Sequence, residues 1–245
     1  MLVLILAATG TAVATGLGAI PVFLLGERAE SLRPLLLGFA AGVMLVASVA
    51  GLLLPGIDEG SVASVGSGLA AGVVFLLVTR RLIESRDVHV GRLTGASVRT
   101  SVLVFAVLFV HSLPEGFAIG TAYASDTAGL GLFVIVAIAL QNIPEGTSVA
   151  IPMERAGFGR SQQFWGAVGT SALQPVGAVV AFLAVEEVES LLPVSFGFAA
   201  GAMMALVVVE LLPESISDGQ WRRGTTGLIL GGLTMLALSV VLGVD

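Results

Sequence analysis

Two short stretches combine side chains that bind metal ions with residues that disturb helices. The stretch "HSLPEG" at 111–116 contains His111 and Glu115, and "QNIPEG" at 141–146 contains Gln141 and Glu145. In each stretch the two polar side chains are four residues apart, so on a helix they share one face, about 6 Å apart along the axis. Imidazole and carboxylate together are ligands of transition metals such as zinc. These four residues are therefore candidate ligands of a divalent ion.

Both stretches lie inside apolar runs long enough to cross a bilayer. The chain has 245 residues, of which 56% are hydrophobic and 11% charged, whereas soluble domains carry about 25% charged residues. A spanning helix needs about 20 mostly apolar residues. We therefore predict an all-α membrane protein with a single transmembrane domain over residues 1–245 and a cytoplasmic loop at 81–99. The eight predicted spans are 2–25, 33–55, 63–80, 100–124, 127–152, 163–185, 192–213 and 225–243.

The basic residues predict the orientation of these spans. All eleven are arginines, and in the eight-span arrangement they all fall on one side of the membrane. Basic loops stay in the cytoplasm, so both termini are expected outside, in a multi-pass protein of the plasma membrane. Met1 is followed directly by apolar residues, so the first run is interpreted as a span and not as a signal peptide, which has a basic start.

Glutamates at membrane depth need a partner. An ionised side chain at a helix centre costs about 2.5–3.5 kcal/mol even on the milder insertion scale. Glu115 and Glu145 fall midway along their spans, and no arginine lies within those spans. Protons, water or a bound cation must compensate the charge. Pro114 and Pro144 each remove a helical hydrogen bond, which predicts interrupted helices that line a cavity.

The chain also repeats itself. "GFAAGVMLVASVAGLLLP" at 38–55 is similar to "GFAAGAMMALVVVELLP" at 197–213, and "HSLPEG" is similar to "QNIPEG". In the eight-span arrangement the members of each pair run in opposite directions through the bilayer. Inverted repeats are typical of secondary transporters, whose substrate site lies near the midplane between the repeats.

The two Pro-Glu-Gly stretches resemble the paired signatures of the ZIP (Zrt/Irt-like) divalent-metal transporters. "FAAGVM", "ALQPVGA" at 172–178 and "VELLPES" at 209–215 also resemble segments of that family, and the resemblance covers nearly the whole chain. It implies eight helices, with helices 1–3 and 6–8 related by inversion around central helices 4 and 5. It also implies that zinc or a similar ion (Cd²⁺, Fe²⁺, Mn²⁺ or Co²⁺) enters the cytoplasm by alternating access, without a prosthetic group.

The resemblance also implies which residues bind the ion. The transport site would consist of His111, Glu115, Gln141, Glu145 and Met44. Some family members bind a second ion, and its ligands would correspond here to Ser112, Glu115, Asn142, Glu145 and Gln174. Because Ser112, Asn142 and Gln174 are neutral, two dications would share only two carboxylates and repel each other. We therefore expect one ion per chain.

Near the cytoplasmic end of helix 7, Glu210 and Glu214 are candidate acceptors of the departing ion. The alternative is that they form an ordinary solvated helix end. The predicted partners are a divalent ion and the lipid bilayer. The sequence leaves the oligomeric state open, with a homodimer as one alternative.

Composition and motifs separate the remaining functions. The chain has no cysteine, and its formal net charge of −6 argues against nucleic acid as a partner. An intramembrane metalloprotease needs His-Glu-x-x-His, but the only histidines are His89 and His111. A proton or monovalent-cation pathway through the same glutamates is the main alternative to metal transport. A metal-gated receptor or scaffold is a third reading.

Overall fold

The computed structural model describes residues 1–84 and 96–244, and every regular element in these ranges is a helix. Eight helices are long and apolar enough to cross a membrane, which confirms the predicted fold class and helix count. Of the predicted loop 81–99, residues 85–95 lie outside the described residues. In chain order the eight helices are α1 (Leu2–Leu25), α2 (Arg28–Asp58), α3 (Val62–Ile83), α4 (Thr100–Ala124), α5 (Leu130–Arg155), α6 (Arg160–Glu187), α7 (Glu189–Ser215) and α8 (Trp221–Leu242).

Glycines bring particular pairs of helices into backbone contact. A Cβ added at Gly38 of α2 would overlap the carbonyl oxygen of Gly224 in α8, and one at Gly68 of α3 would overlap that of Val194 in α7. Small residues allow such close approach between membrane helices. The closest helix pairs in the molecule are accordingly α2 with α8 and α3 with α7.

The central helices pair in the same way with α1 and α6. Gly146 of α5 faces the carbonyl oxygen of Thr15 in α1, and Gly116 of α4 faces that of Gln174 in α6. An inverted repeat would relate α1, α2 and α3 to α6, α7 and α8, and α4 to α5. Under this exchange the α2–α8 pair becomes α7–α3, and the α1–α5 pair becomes α6–α4. The pairing is compatible with an inverted repeat, and the repeat itself and the orientation of its halves in a bilayer stay predictions.

The prolines of the two signatures do not interrupt their helices, and this expectation was wrong. The helix that contains Pro114 runs from Ala96 to Ala124, and the helix that contains Pro144 runs from Leu130 to Arg155. Each proline removes a single hydrogen bond, and the hydrogen bonds on either side are enough to continue the helix.

The irregular backbone lies in α2 and α7 instead. Each contains one π-helical turn, Val49–Leu53 in α2 and Val207–Leu211 in α7, directly before a Leu-Pro pair. The two turns therefore occupy matching places in the repeated sequence. Such turns are frequent at functional sites, so they direct attention to the side chains that they carry.

An apolar core fills the space between the helices on one side of the predicted metal site. Its largest side chains include Met44, Phe133, Phe196 and Met203, each at most 2% exposed. Phe133 lies in the first turn of α5 and Phe196 in the first half of α7. Both therefore belong to the end of the molecule where α2, α4 and α6 end.

Candidate metal site

The structure brings the four candidate ligands of α4 and α5 into one buried region. His111, Glu115, Gln141 and Glu145 are all at most 5% exposed. The Gln141 Nε2 atom donates a hydrogen bond of 2.8 Å to Glu115 Oε1, so the two signatures contact each other directly. Antiparallel packing of two helices with the same polar spacing produces this meeting.

Unpartnered polar atoms are concentrated at this place. Nearly all buried polar atoms in proteins have a hydrogen-bond partner. In the described residues, six buried side-chain nitrogen or oxygen atoms lack one, and three of the six are His111 Nδ1, Gln141 Oε1 and Glu145 Oε1. An imidazole nitrogen, an amide oxygen and a carboxylate oxygen are all ligand atoms for a divalent metal. The arrangement can therefore offer a cation three ligand atoms that have no other partner.

The candidate ligands do not form a closed coordination sphere in this structure. Among the residues that the structure describes, no three histidine or acidic side chains converge closely enough to hold a metal ion by themselves. Both oxygens of Glu115 accept hydrogen bonds from carboxamides instead, from Gln141 at 2.8 Å and from Gln174 Nε2 at 2.6 Å. An incoming ion would therefore exchange places with these N–H donors.

Two of the three neutral residues that the resemblance relates to a second metal site, Asn142 and Gln174, belong to a hydrogen-bonded network. The side-chain amides of Asn142 and Gln174 donate to each other over 3.2 and 3.3 Å. Thr11 of α1 donates its hydroxyl to Gln174 Oε1 at 2.8 Å and accepts at its carbonyl from Asn142 Nδ2 at 2.7 Å. Ser112 turns away and donates to the Phe109 carbonyl of its own helix at 2.8 Å. The amides of Asn142 and Gln174 are therefore bonded to each other and to Thr11, whereas Ser112 is not.

The sequence does not indicate that Thr11 belongs to this network. A threonine in a membrane span commonly bonds to its own helix, and the Ala8 carbonyl, also 2.8 Å from the Thr11 hydroxyl, competes with Gln174 for its single proton. Its contact with Gln174 joins residues 163 positions apart, and no local pattern announces it.

Met44 is completely buried, as a ligand of the site would be. It belongs to the apolar core, together with its repeat counterpart Met203. Burial alone is what packing would also produce, so the role of Met44 as a ligand stays a prediction.

Glu210 lies next to the site. Its Oε2 atom is 4.0 Å from His111 Nε2, somewhat farther than the roughly 3.4 Å between two ligands of a tetrahedral zinc ion with bonds of about 2.0–2.2 Å. Glu210 belongs to the π-helical turn of α7. The structure thus places the first of the two predicted acceptors within reach of a ligand of the site.

A chain of cavities leads from the site to the end of the molecule where α1, α3, α5 and α7 end, here called the arginine end. A cavity of about 80 Å³ is lined by Glu145, Ser148, Glu210, Glu214 and Arg33, among others. A larger one of about 410 Å³ shares Glu210 and Glu214 with it. Glu214 forms an ion pair with Arg33.

The opposite end, where α2, α4, α6 and α8 end, is here called the acidic end. It has a cavity of about 430 Å³, lined by Glu59, Asp126, Glu186 and Glu189 together with three apolar residues. None of the candidate ligands lines this cavity. Of the cavities formed by described residues named here, those that reach a candidate ligand lie toward the arginine end.

Comparison with known proteins gives consistent matches. The sequence model of a family described as ZIP zinc transporter matches residues 83–239. The chain is 32% identical over 243 residues to zinc transporter GufA of Myxococcus xanthus, which covers 94% of this chain and 95% of that protein. It is 34% identical over 244 residues to zinc transporter ZIPB of Bordetella bronchiseptica, covering 94% and 78%.

A third relative is longer. A candidate zinc transporter of Arabidopsis thaliana is 34% identical over 232 residues, which make up 94% of this chain but 37% of that protein. The chain therefore spans less than half the length of this relative.

Proposed function

Because the chain belongs to the ZIP zinc transporter family, we propose that it transports zinc or a similar divalent transition metal across a membrane. With eight membrane-spanning helices it is an integral, multi-pass membrane protein. The members of this family are transporters and not enzymes, which excludes the metalloprotease alternative. The observation that carries the proposal is the trio of buried, unpartnered ligand atoms on His111, Gln141 and Glu145.

The proposed binding site holds one ion between α4 and α5. His111, Gln141 and Glu145 supply the unpartnered atoms, and Glu115 exchanges its amide donors for the metal. Met44 adds a thioether in this proposal, which suits softer ions such as Cd²⁺. The network of Asn142 and Gln174 supports a single ion, because a second one would have to displace it without gaining a further carboxylate.

The proposed direction is from the acidic end to the arginine end. The arginine end faces the cytoplasm under the positive-inside rule, with both termini outside and the plasma membrane as the location. Glu210 and then Glu214 receive the departing ion along the cavities that they line. The acidic end concentrates cations before they enter.

Alternating access is the proposed mechanism, and the glycine contacts favour one division into moving bodies. The α2–α8 and α3–α7 pairs join the two sequence repeats through backbone contact, so the repeats themselves are poorly suited to slide past each other. Gly146 and Gly116 likewise hold α5 against α1 and α4 against α6, and the Gln141–Glu115 hydrogen bond joins α4 to α5. We therefore assign α1, α4, α5 and α6 to one body and α2, α3, α7 and α8 to the other.

A proton or monovalent-cation pathway through Glu115 and Glu145 is the alternative function. Carboxylates alone would serve it. The imidazole and amide atoms that lie unpartnered beside Glu145 favour a divalent transition metal instead, because they are ligands of such ions.

Metal uptake by purified protein in sealed proteoliposomes tests the proposal. We expect saturable Zn²⁺ uptake by the unmodified protein and none above background for Glu145→Ala. Glu187→Gln serves as the control, since Glu187 is an exposed acidic residue at the end of α6. Zn²⁺ uptake by Glu145→Ala at the normal rate would reject the site, and proton flux without any metal flux in the unmodified protein would favour the alternative.

A further inference from the structure

Two positive charges face the route between the proposed site and the arginine end, Arg80 in the larger cavity and Arg33 in the smaller one, next to the site. Arg33 begins the helix Arg33–Ser48 of α2 and lines the cavity of about 80 Å³ together with Glu145, Glu210 and Glu214. Among the residues described as lining that cavity, it is the one cation. A departing dication that reaches Glu214 therefore meets a carboxylate that already has a guanidinium partner.

Arg33 belongs to a chain of ion pairs that crosses three helices. It contacts Glu214 of α7 and lies 3.8 Å from Glu30 of α2. Glu30 in turn lies 3.4 Å from Arg155, the last residue of α5. The chain thus links α2 and α7 to the helix that carries Glu145.

The charges explain why a tethered cation would be useful here. Three carboxylates along one route attract a dication, but they would also retain it, because each is an oxygen ligand. A guanidinium is always charged and pairs well with carboxylates. Held beside Glu214 by its own helix, it can return to the carboxylate as the metal leaves. It can do so at a high effective concentration, as tethered binding groups do.

We propose that Arg33 is a tethered counter-ion that competes with the departing metal ion for Glu214 and thereby sets the rate of release at the arginine end. This proposal rests on the proposed transport function. Arg33 acts as a positioning residue of the route and not as a ligand. The affinity of the site between α4 and α5 does not depend on it.

The Arg33–Glu214 pair is suited to mutation, because its side chains are 29% and 35% exposed. Partly exposed ion pairs contribute little to stability, so loss of the pair should leave the fold intact. The variants are Arg33→Gln, Arg33→Gln combined with Glu214→Gln, and the control Arg222→Gln. Arg222 is exposed at the same end of the molecule, stacks on Trp221 and lines no cavity of the route.

The experiment measures initial rates of Zn²⁺ uptake over a range of concentrations in proteoliposomes, with thermal unfolding as a check of folding. Slower release lowers kcat and KM together. For Arg33→Gln we therefore expect both constants to fall about fivefold, while kcat/KM stays within about twofold. The double variant removes the carboxylate that retains the ion, so its kcat should be at least about twofold higher than that of Arg33→Gln, although Glu214 is no longer there to receive the ion. Arg222→Gln should change neither constant.

Each other outcome has a defined meaning. A fall in kcat/KM for Arg33→Gln would show a structural role and overturn the proposal, as would kinetics equal to those of Arg222→Gln or a double variant no faster than the single one. Should Arg33→Gln fail to fold, the double variant carries the test, and a fall of both its constants by about fivefold would overturn the proposal. Absence of Zn²⁺ uptake by the unmodified protein would reject the transport function itself, which separates the two failures.

Discussion

The π-helical turns of α2 and α7 have the same place in the repeated sequence but different surroundings. Counting from the prolines that follow them, Glu210 and Glu214 of α7 correspond to Leu52 and Gly56 of α2. Both glutamates line cavities at the arginine end. Leu52 is 1% exposed within the apolar core. One backbone pattern thus produces an open polar route and a closed apolar one.

Aromatic side chains fill the space on the α2 side. A Cβ added at Gly51 would lie 2.8 Å from the ring of Phe133, and one at Gly56 would lie 2.9 Å from Phe196 Cβ. Gly51 and Gly56 leave room for these two side chains, whereas the α7 counterpart of Gly56 is Glu214, which lines a polar cavity. Side chains, and not the shared backbone, therefore decide from which end of the molecule a cavity extends to the site.

The largest expected difference concerns access to the site from its two sides. Ser148 lines the small cavity, while Ile138, nearer the start of α5, is completely buried in the core. Since the chain has no cysteine, thiols introduced by Ser148→Cys and Ile138→Cys are the sole targets. In sealed vesicles, a membrane-impermeant maleimide should label position 148 from the arginine end about a hundredfold faster than position 138, because thiol reactivity requires exposure.

Two further single-cysteine variants report which way the protein lies in the vesicle, Arg222→Cys at the arginine end and Glu187→Cys at the acidic end. Labelling of position 138 from the acidic end at a rate similar to that of position 148 would show that both sides are open. The α2 side would then be as open to solvent as the α7 side, contrary to the structure described above.

A single substitution can give the π-helical turn of α7 the apolar side chain that the turn of α2 has. Glu210→Leu copies Leu52 and removes the carboxylate that lies 4.0 Å from His111. We expect Zn²⁺ uptake to fall about tenfold, as is common when a group next to a metal ligand is lost. Val208→Leu is the matched control in the same turn, since Val208 is 60% exposed on the outer surface. Equal uptake rates for the two variants would contradict a role for Glu210.

Tight packing around the π-helical turn of α2 can be tested through the free energy of unfolding. Gly51→Ala places a methyl group against Phe133, and such overpacking should lower the free energy of unfolding by about 1–2 kcal/mol. Gly66→Ala in α3 is the control, because a Cβ there meets nothing within 4 Å. Unfolding in detergent by heat or denaturant gives both values. A Gly51→Ala protein as stable as the control would mean that the closed side is loosely packed.

The smallest expected effect separates the two buried methionines. Met44 and Met203 occupy matching positions of the repeat, and only Met44 is a predicted ligand. Met44→Leu keeps the volume but removes the soft sulfur, so it should reduce the preference for Cd²⁺ over Zn²⁺ about threefold. Met203→Leu should leave the ratio unchanged in the same competition assay. An identical shift in both variants would indicate a packing role for Met44.

The sequence predicted the elements better than their irregularities. Eight apolar runs were enough to predict eight helices, because length and composition decide whether a segment can cross a bilayer. Pro114 and Pro144 suggested breaks that the helices do not have, while the turns before Pro55 and Pro213 carry the irregular backbone. A proline indicates a lost hydrogen bond, but tertiary packing decides whether the helix bends there.

The polar contacts of the candidate site were also predicted only in part. The four-residue spacing predicted that His111 and Glu115 share a face and face the partner helix. It did not predict that two carboxamides hold Glu115, or that Arg33 pairs with Glu214 across 181 positions of the chain. Such contacts depend on how distant helices pack, which spacing within one helix does not specify.

Equilibrium titration of the purified protein with Zn²⁺ tests the central claim most directly. The account predicts one tightly bound ion per chain, its loss in Glu145→Ala, and normal binding by Glu187→Ala. Two tight ions per chain, or undiminished binding by Glu145→Ala, would contradict a single site held by the buried ligands of α4 and α5.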